Sequence, residues 1–239
     1  MPFVNYPLRE ISCKIVYYGP GLCGKTTNLK YVHAHADRAT RGNLFTLDTA
    51  AERLHYFDYL PLDLGAVWGF KVRMQLYTVP GQLLYNATRR LILGGVDGLV
   101  FVADAQRVRF DANVLSLDNL RDNLSAQGDS LQEVPHVFQY NKRDLPDVAA
   151  LEDLRAALNL HGAADFEASA RDGSGVFEPL KAIARKVVTK LLRTGACPKI
   201  DVPPPESASV PIKSWPAAAF RRGALGGRPA RPIAPLSAR

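Results

Sequence analysis

Apolar residues over the first 195 or so positions fall into short runs separated by stretches of helical length. Ile11 to Tyr18 (ISCKIVYY) is rich in β-branched and aromatic side chains and predicts a strand, whereas Thr26 to Ala36, free of Gly and Pro, predicts a helix. A polar, turn-like stretch from His35 to Asn43 leads into a short strand at Leu44 to Leu47. Arg53 to Leu62 (RLHYFDYLPL) and Phe70 to Val79 (FKVRMQLYTV) alternate as half-buried strands do, and predict a hairpin across Gly65 to Gly69. Gly98 to Ala103 (GLVFVA) and His136 to Tyr140 (HVFQY) are continuous apolar runs, the mark of parallel strands covered on both faces, with a helix over Val108 to Gln127 between them. A last strand is expected at Asp165 to Ala168. The final helix, Val176 to Leu192, sets Val176, Leu180, Ile183, Val187 and Leu191 on one stripe that should face the core. Strands alternating with helices in this way predict an α/β fold: a mostly parallel central sheet, helices on both faces, and ligands beyond the carboxyl ends of the strands.

Beyond residue 197 the pattern stops. Nine of the seventeen prolines lie in residues 198 to 239, with Pro203 to Pro205 consecutive. We therefore read residues 1 to 197 as one domain and 198 to 239 as a disordered or polyproline-like tail, with Trp215, Phe220 and the Arg221–Arg222 pair as its candidate anchors. This division changes the meaning of the charge. Of the formal +7, the tail holds seven Lys/Arg against two Asp/Glu, leaving 23 basic and 21 acidic residues elsewhere. A basic domain that reads nucleic acid is not implied, while the tail could attract anionic lipid or an acidic partner, or simply be a solvated linker. Cys13, Cys23 and Cys197 form no disulfide framework and lack metal-ligand spacing, which fits a reducing cytoplasm. No run is long enough for a membrane span, and no signal peptide, myristoylation glycine or prenylation box is present. His33, His35 and His55 lack metal-site spacing, and the Tyr56, Phe57, Tyr59 cluster reads as strand packing.

The chemistry concentrates in GPGLCGKT, residues 19 to 26, between a predicted strand and a predicted helix. That context is the one a phosphate-binding loop needs. The backbone of Gly19, Gly21, Leu22, Cys23, Gly24, Lys25, Thr26 and Thr27 would close around phosphate oxygens. Lys25 would reach the β- and γ-phosphates, and the Thr26 hydroxyl would ligate Mg²⁺. A helix beginning at Lys25 would add the positive end of its dipole.

Base selection is expected from Asn141-Lys142-Arg143-Asp144 (NKRD), which lies at the end of a predicted strand and resembles the guanine-specificity motif of Ras-like GTPases. The Asp144 carboxylate can accept from the guanine ring N–H and amine, groups that adenine does not offer, while the Lys142 stem covers the base and Asn141 braces the pocket. Ala168-Ser169-Ala170 follows and looks like the loop of Ras-like GTPases whose backbone contacts the guanine oxygen, a role the resemblance gives to Ser169 and Ala170. An ATPase or kinase would use the same phosphate loop, and NKRD argues against both. Order and spacing of the phosphate loop, Pro80-Gly81-Gln82, NKRD and ASA together match the Ras-like GTPases.

The likeness extends further. Residues 1 to about 195 resemble the bacterial Ras-like GTPases of the gliding-motility and cell-polarity (MglA-type) family through SCKIVYYGPGLCGKTTNL (Ser12 to Leu29), LYTVPGQ (Leu76 to Gln82), GVDGLVFVAD (Gly95 to Asp104) and QYNKRDLP (Gln139 to Pro146). The resemblance implies a Ras-like P-loop NTPase fold, GTP and GDP as substrate and product, and Mg²⁺ as cofactor. It also implies a polarity switch that is GTP-bound at one cell pole, polarity or motility effectors, and a Roadblock-domain activating protein as partner.

Hydrolysis of GTP rests on positioning and charge stabilisation. Gln82, after Gly81, is the candidate for orienting water, and the resemblance places Arg53 as an arginine finger carried by the chain itself. Thr78 stands where many GTPases have Asp, a feature shared with the gliding-motility family. Leu54 stands where that family has Thr, and leucine ligates no metal; Thr46 and Thr49 are both candidates to substitute. Tight nucleotide binding with slow intrinsic hydrolysis is one expectation. A guanine-nucleotide-binding scaffold with little or no hydrolysis is the alternative.

Overall fold

The computed structural model describes residues 3–49, 54–67 and 69–193. Eight strands form one sheet: β1 (Phe3–Asn5), β2 (Glu10–Tyr18), β3 (Phe45–Thr49), β4 (Leu54–Val67), β5 (Phe70–Thr78), β6 (Gly98–Asp104), β7 (His136–Asn141) and β8 (Asp165–Glu167). The order is β3-β4-β5-β2-β6-β7-β8, with the short β1 antiparallel to the start of β2. Pairings from β5 through β2, β6 and β7 to β8 are all parallel, and β3, β4 and β5 form an antiparallel flank. The predicted hairpin is thus observed. It extends a parallel sheet.

Helices are α1 (Lys25–His35), α2 (Asn86–Leu93), α3 (Phe110–Ser125), α4 (Leu151–Leu158) and α5 (Phe177–Arg193). The alternation along β2 decides which helix meets which face: Ile11, Cys13, Ile15 and Tyr17 join one buried cluster, Val16 and Tyr18 the other. On the first face lie Leu29 and Val32 of α1 and the predicted stripe of α5, Leu180, Ile183, Val187 and Leu191, with Val176 just before it. The second face is covered by Ile92 and Leu93 of α2, Leu117, Leu120 and Leu124 of α3, and Leu154 and Leu158 of α4. Burial of this order, at about 1.5–3 kcal/mol for each large apolar side chain, outweighs the weak intrinsic propensity of eight-residue helices such as α2 and α4.

Three elements were not read from the sequence. β1 is too short for a period, and α2 and α4 lie in the intervals 83–97 and 145–164, which carry no long periodic run. Arg53 and residues 198 to 239 lie outside the described residues. Among the described residues no helix is long and apolar enough to cross a membrane.

Candidate nucleotide-binding site

The loop between β2 and α1 turns at the carboxyl edge of the sheet, and its glycines are explained by contacts. A Cβ on Gly19 would strike the Val102 carbonyl of β6; one on Gly24 would strike the Asn141 side chain, and φ at Gly24 is 100°. L-residues resist both conditions. Leu22 also has positive φ, 65°, and turns its side chain outward. Gly81 rests directly on the Gly21 backbone.

Lys25 is buried, and its ammonium donates to the carbonyls of Gly19 (2.8 Å) and Pro20 (2.6 Å) and approaches Cys23 Sγ (3.6 Å). Burial is the main force pushing its pKa below the ordinary lysine value; Arg89 adds to the depression, and Cys23 and Asp58 oppose it. A phosphate would offset that burial cost with opposite charge.

The wall facing Thr26 is built around a carboxylate that the sequence reading overlooked. Asp58 of β4 is 3% exposed. It accepts from the hydroxyls of Thr26 (2.6 Å), Thr46 (2.9 Å) and Thr78 (2.9 Å), and its own N–H donates to Thr78 Oγ1 at 2.8 Å. Thr46, one of the two threonines left open earlier, reaches this carboxylate. Thr49 pairs with Leu54 across the β3–β4 ladder. The signal was there: Asp58 is an acid set between two aromatic residues, Phe57 and Tyr59, in β4.

A cavity of about 870 Å³ opens over this wall, and Gly21, Leu22, Gly24, Lys25, Thr26, Thr27, Gly81 and Gln82 of the expected site residues line it. Gln82 is exposed there. Gly19 and Cys23, in the same loop, are not on the cavity's lining. Three further residues on the lining, Asp58, Arg89 and Arg109, were not singled out from the sequence.

Asn141 joins the two halves of the site. Its Nδ2 donates to the Cys23 carbonyl (2.7 Å), and its Oδ1 accepts from the Ala170 N–H (2.8 Å). The Ser169 N–H donates to Ser174 and its carbonyl accepts from Gly173, so the 168–174 turn is internally braced. Lys142 has φ 69° and places its ammonium 2.6 Å from Asp104, a wholly buried acid at the end of β6. Arg109 lies 3.9 Å from the same carboxylate and donates to the Gly21 carbonyl at 2.9 Å. Asp104 thus connects the NKRD segment to the glycine loop. Asp144 is exposed, and its carboxylate takes no hydrogen bond from the described residues.

The residues fit both groups that the motifs imply. Hydroxyl and carboxylate oxygens at Thr26, Thr46, Thr78 and Asp58 are the hard donors that Mg²⁺ prefers. Lys25 and Arg109 supply positive charge along the same cavity.

No protein-family model matches the chain. Over 195 residues it is 55% identical to "Mutual gliding-motility protein MglA" of Myxococcus xanthus (strain DK1622), a match covering 82% of this chain and the whole of that protein.

Proposed function

Because the chain belongs to the MglA family, we propose that it is a small GTPase, cytoplasmic, cycling between GTP and GDP and acting in gliding motility or cell polarity. The observation that carries this reading is Asn141, whose single amide ties the glycine loop at Cys23 to the Ala170 turn, bringing phosphate- and base-recognition segments into one site.

In this reading Lys25 and the amides of residues 19 to 27 hold the phosphates. Asp144, Lys142 and the Ser169–Ala170 turn hold guanine. Thr26, with Asp58 and Thr46 beside it, would hold Mg²⁺, which when bound would neutralise phosphate charge. Gln82 orients water for attack on the γ-phosphorus as the bond to the bridging oxygen breaks and GDP leaves. Arg53 provides the cation for the charge that develops. A Roadblock-domain activating protein and polarity or motility effectors are the proposed partners, and residues 198 to 239 form a separate tail.

A scaffold that binds guanine nucleotide without hydrolysing it is the second reading. Leu54 favours it, since a side chain without oxygen stands at the start of β4, paired to Thr49.

Chromatography of the nucleotide released from the purified chain, followed by single-turnover hydrolysis with and without a Roadblock-domain protein, tests both. Guanine nucleotide and accelerated turnover are expected, with Gln82→Ala or Arg53→Ala slowing the activated rate about 100-fold or more. Absence of bound guanine nucleotide would refute the GTPase reading; bound nucleotide without turnover would favour the scaffold.

A further inference from the structure

Arg89 of α2 is 0% exposed, and no ion pair to a carboxylate holds it among the described residues. Its partners are neutral. Nε donates to the Pro80 carbonyl (2.8 Å) and Nη2 to the Gly81 carbonyl. Nη1 donates to Asn119 Oδ1 at 2.7 Å and reaches Tyr18 Oη at 3.4 Å, with the guanidinium 5.2 Å from the Tyr18 ring centroid. Asn119 in turn accepts from Tyr18 Oη (2.7 Å) and donates to Asn86 (2.9 Å), and Asn123 donates to Asn86 (2.7 Å). A cation buried this deeply is costly unless its donors are satisfied. Here they are spent on the backbone of the segment before Gln82.

Peptide planarity turns that contact into an orientation. In a trans peptide the C=O and the following N–H point in opposite directions. Holding the carbonyls of Pro80 and Gly81 therefore directs the N–H groups of Gly81 and Gln82 away from the guanidinium. Neither N–H donates to an acceptor among the described residues. Pro80, Gly81 and Gln82 line the same cavity as Lys25. A lysine could not do the same work, because an ammonium is a point charge, whereas the planar fork matches two carbonyls at fixed spacing.

We propose that Arg89 is a positioning residue for hydrolysis: it clamps the Pro80–Gly81 carbonyls so that the Gly81 and Gln82 amides, and the Gln82 side chain, meet the γ-phosphate end of the nucleotide. The Asn119–Tyr18–Asn86–Asn123 network holds the clamp from behind. This deepens the GTPase reading and rests on it.

The test uses the full chain, with Arg89→Met, Arg89→Lys and Asn119→Ala, measuring GDP affinity, thermal midpoint and single-turnover GTP hydrolysis with a Roadblock-domain protein. Arg89→Met is expected to slow hydrolysis about 100-fold while GDP affinity changes less than about threefold; Arg89→Lys recovers about tenfold of that loss. Asn119→Ala keeps the guanidinium but frees it sideways, and is expected to slow hydrolysis about fivefold; it carries the test alone if Arg89→Met does not fold. Unaltered hydrolysis in the folded variants, or a loss of GDP affinity as large as the loss of rate, overturns the clamp. A wild-type chain that binds no guanine nucleotide overturns the GTPase reading and the clamp with it.

Discussion

Thr78 shows how much a single hydroxyl can hold. It accepts from the Asp58 N–H and donates to the Asp58 carboxylate, both buried, so Thr78→Val would take the hydroxyl partner from the Asp58 N–H and one of three hydroxyl donors from its carboxylate while barely changing shape. Leaving a buried donor unsatisfied costs about 1–3 kcal/mol, and a drop in the urea midpoint with unchanged slope is the expected result. Asp58, Arg89 and Asp104 escaped the sequence reading because each interrupts an apolar pattern, where a polar residue is ordinarily assigned to solvent. In hindsight the interruption was the signal: Asp58 sits among aromatics in β4, Asp104 ends the apolar run of β6, and Arg89 is four positions from the buried Leu93. Distinguishing a buried partner-bound charge from an exposed one needs the partner's position. For Arg89 those partners come from β2, α3 and the segment ahead of α2.

At the scale of elements, β7 carries the site at one end and a titrating group at the other. Asn141 closes its carboxyl end, while His136 opens it, half-buried, with Nδ1 2.9 Å from the Val134 carbonyl. Burial is the main cause holding the His136 pKa below the ordinary 6.5, helped by Lys186 and His161 and opposed by the Val134 contact. The unfolded chain therefore binds more protons in the window from about 6.5 down to the depressed folded value. Stability should fall as pH drops through that window, and His136→Asn should flatten the slope. Urea midpoints at pH 7.5, 6.5 and 5.5 for both chains would check this. The strands and long helices were legible because α5 repeats one period over many residues, while β2 and β6 are unbroken runs rich in apolar and β-branched side chains. α2 and α4, eight residues each, owe their existence to Ile92, Leu93, Leu154 and Leu158 meeting the sheet.

For the molecule as a whole, the two buried clusters end at Leu191, and the residue pattern that builds them does not continue past residue 197. Removing residues 198 to 239 should therefore leave the thermal midpoint within about 2 °C of the full chain, since the described members of both clusters lie before residue 193. A larger fall, seen by calorimetry, would mean that the tail packs on the domain. The formal charge over residues 1 to 197 is close to balance, which agrees with a site whose cations are gathered on one cavity rather than spread over a face.

What the chain's sequence determined alone was the periodic part of the fold and the short motifs whose residues act on what lies beside them: GPGLCGKT between strand and helix, NKRD at a strand end, the α5 stripe. Backbone preference and period are local, and so can be read locally. Tertiary structure decided which distant residues complete the site. Asp58 meets Thr26 from 32 positions away, Lys142 meets Asp104 from 38, and Asn141 meets Cys23 from 118. Such meetings depend on strand order and helix packing, which no single stretch of sequence contains.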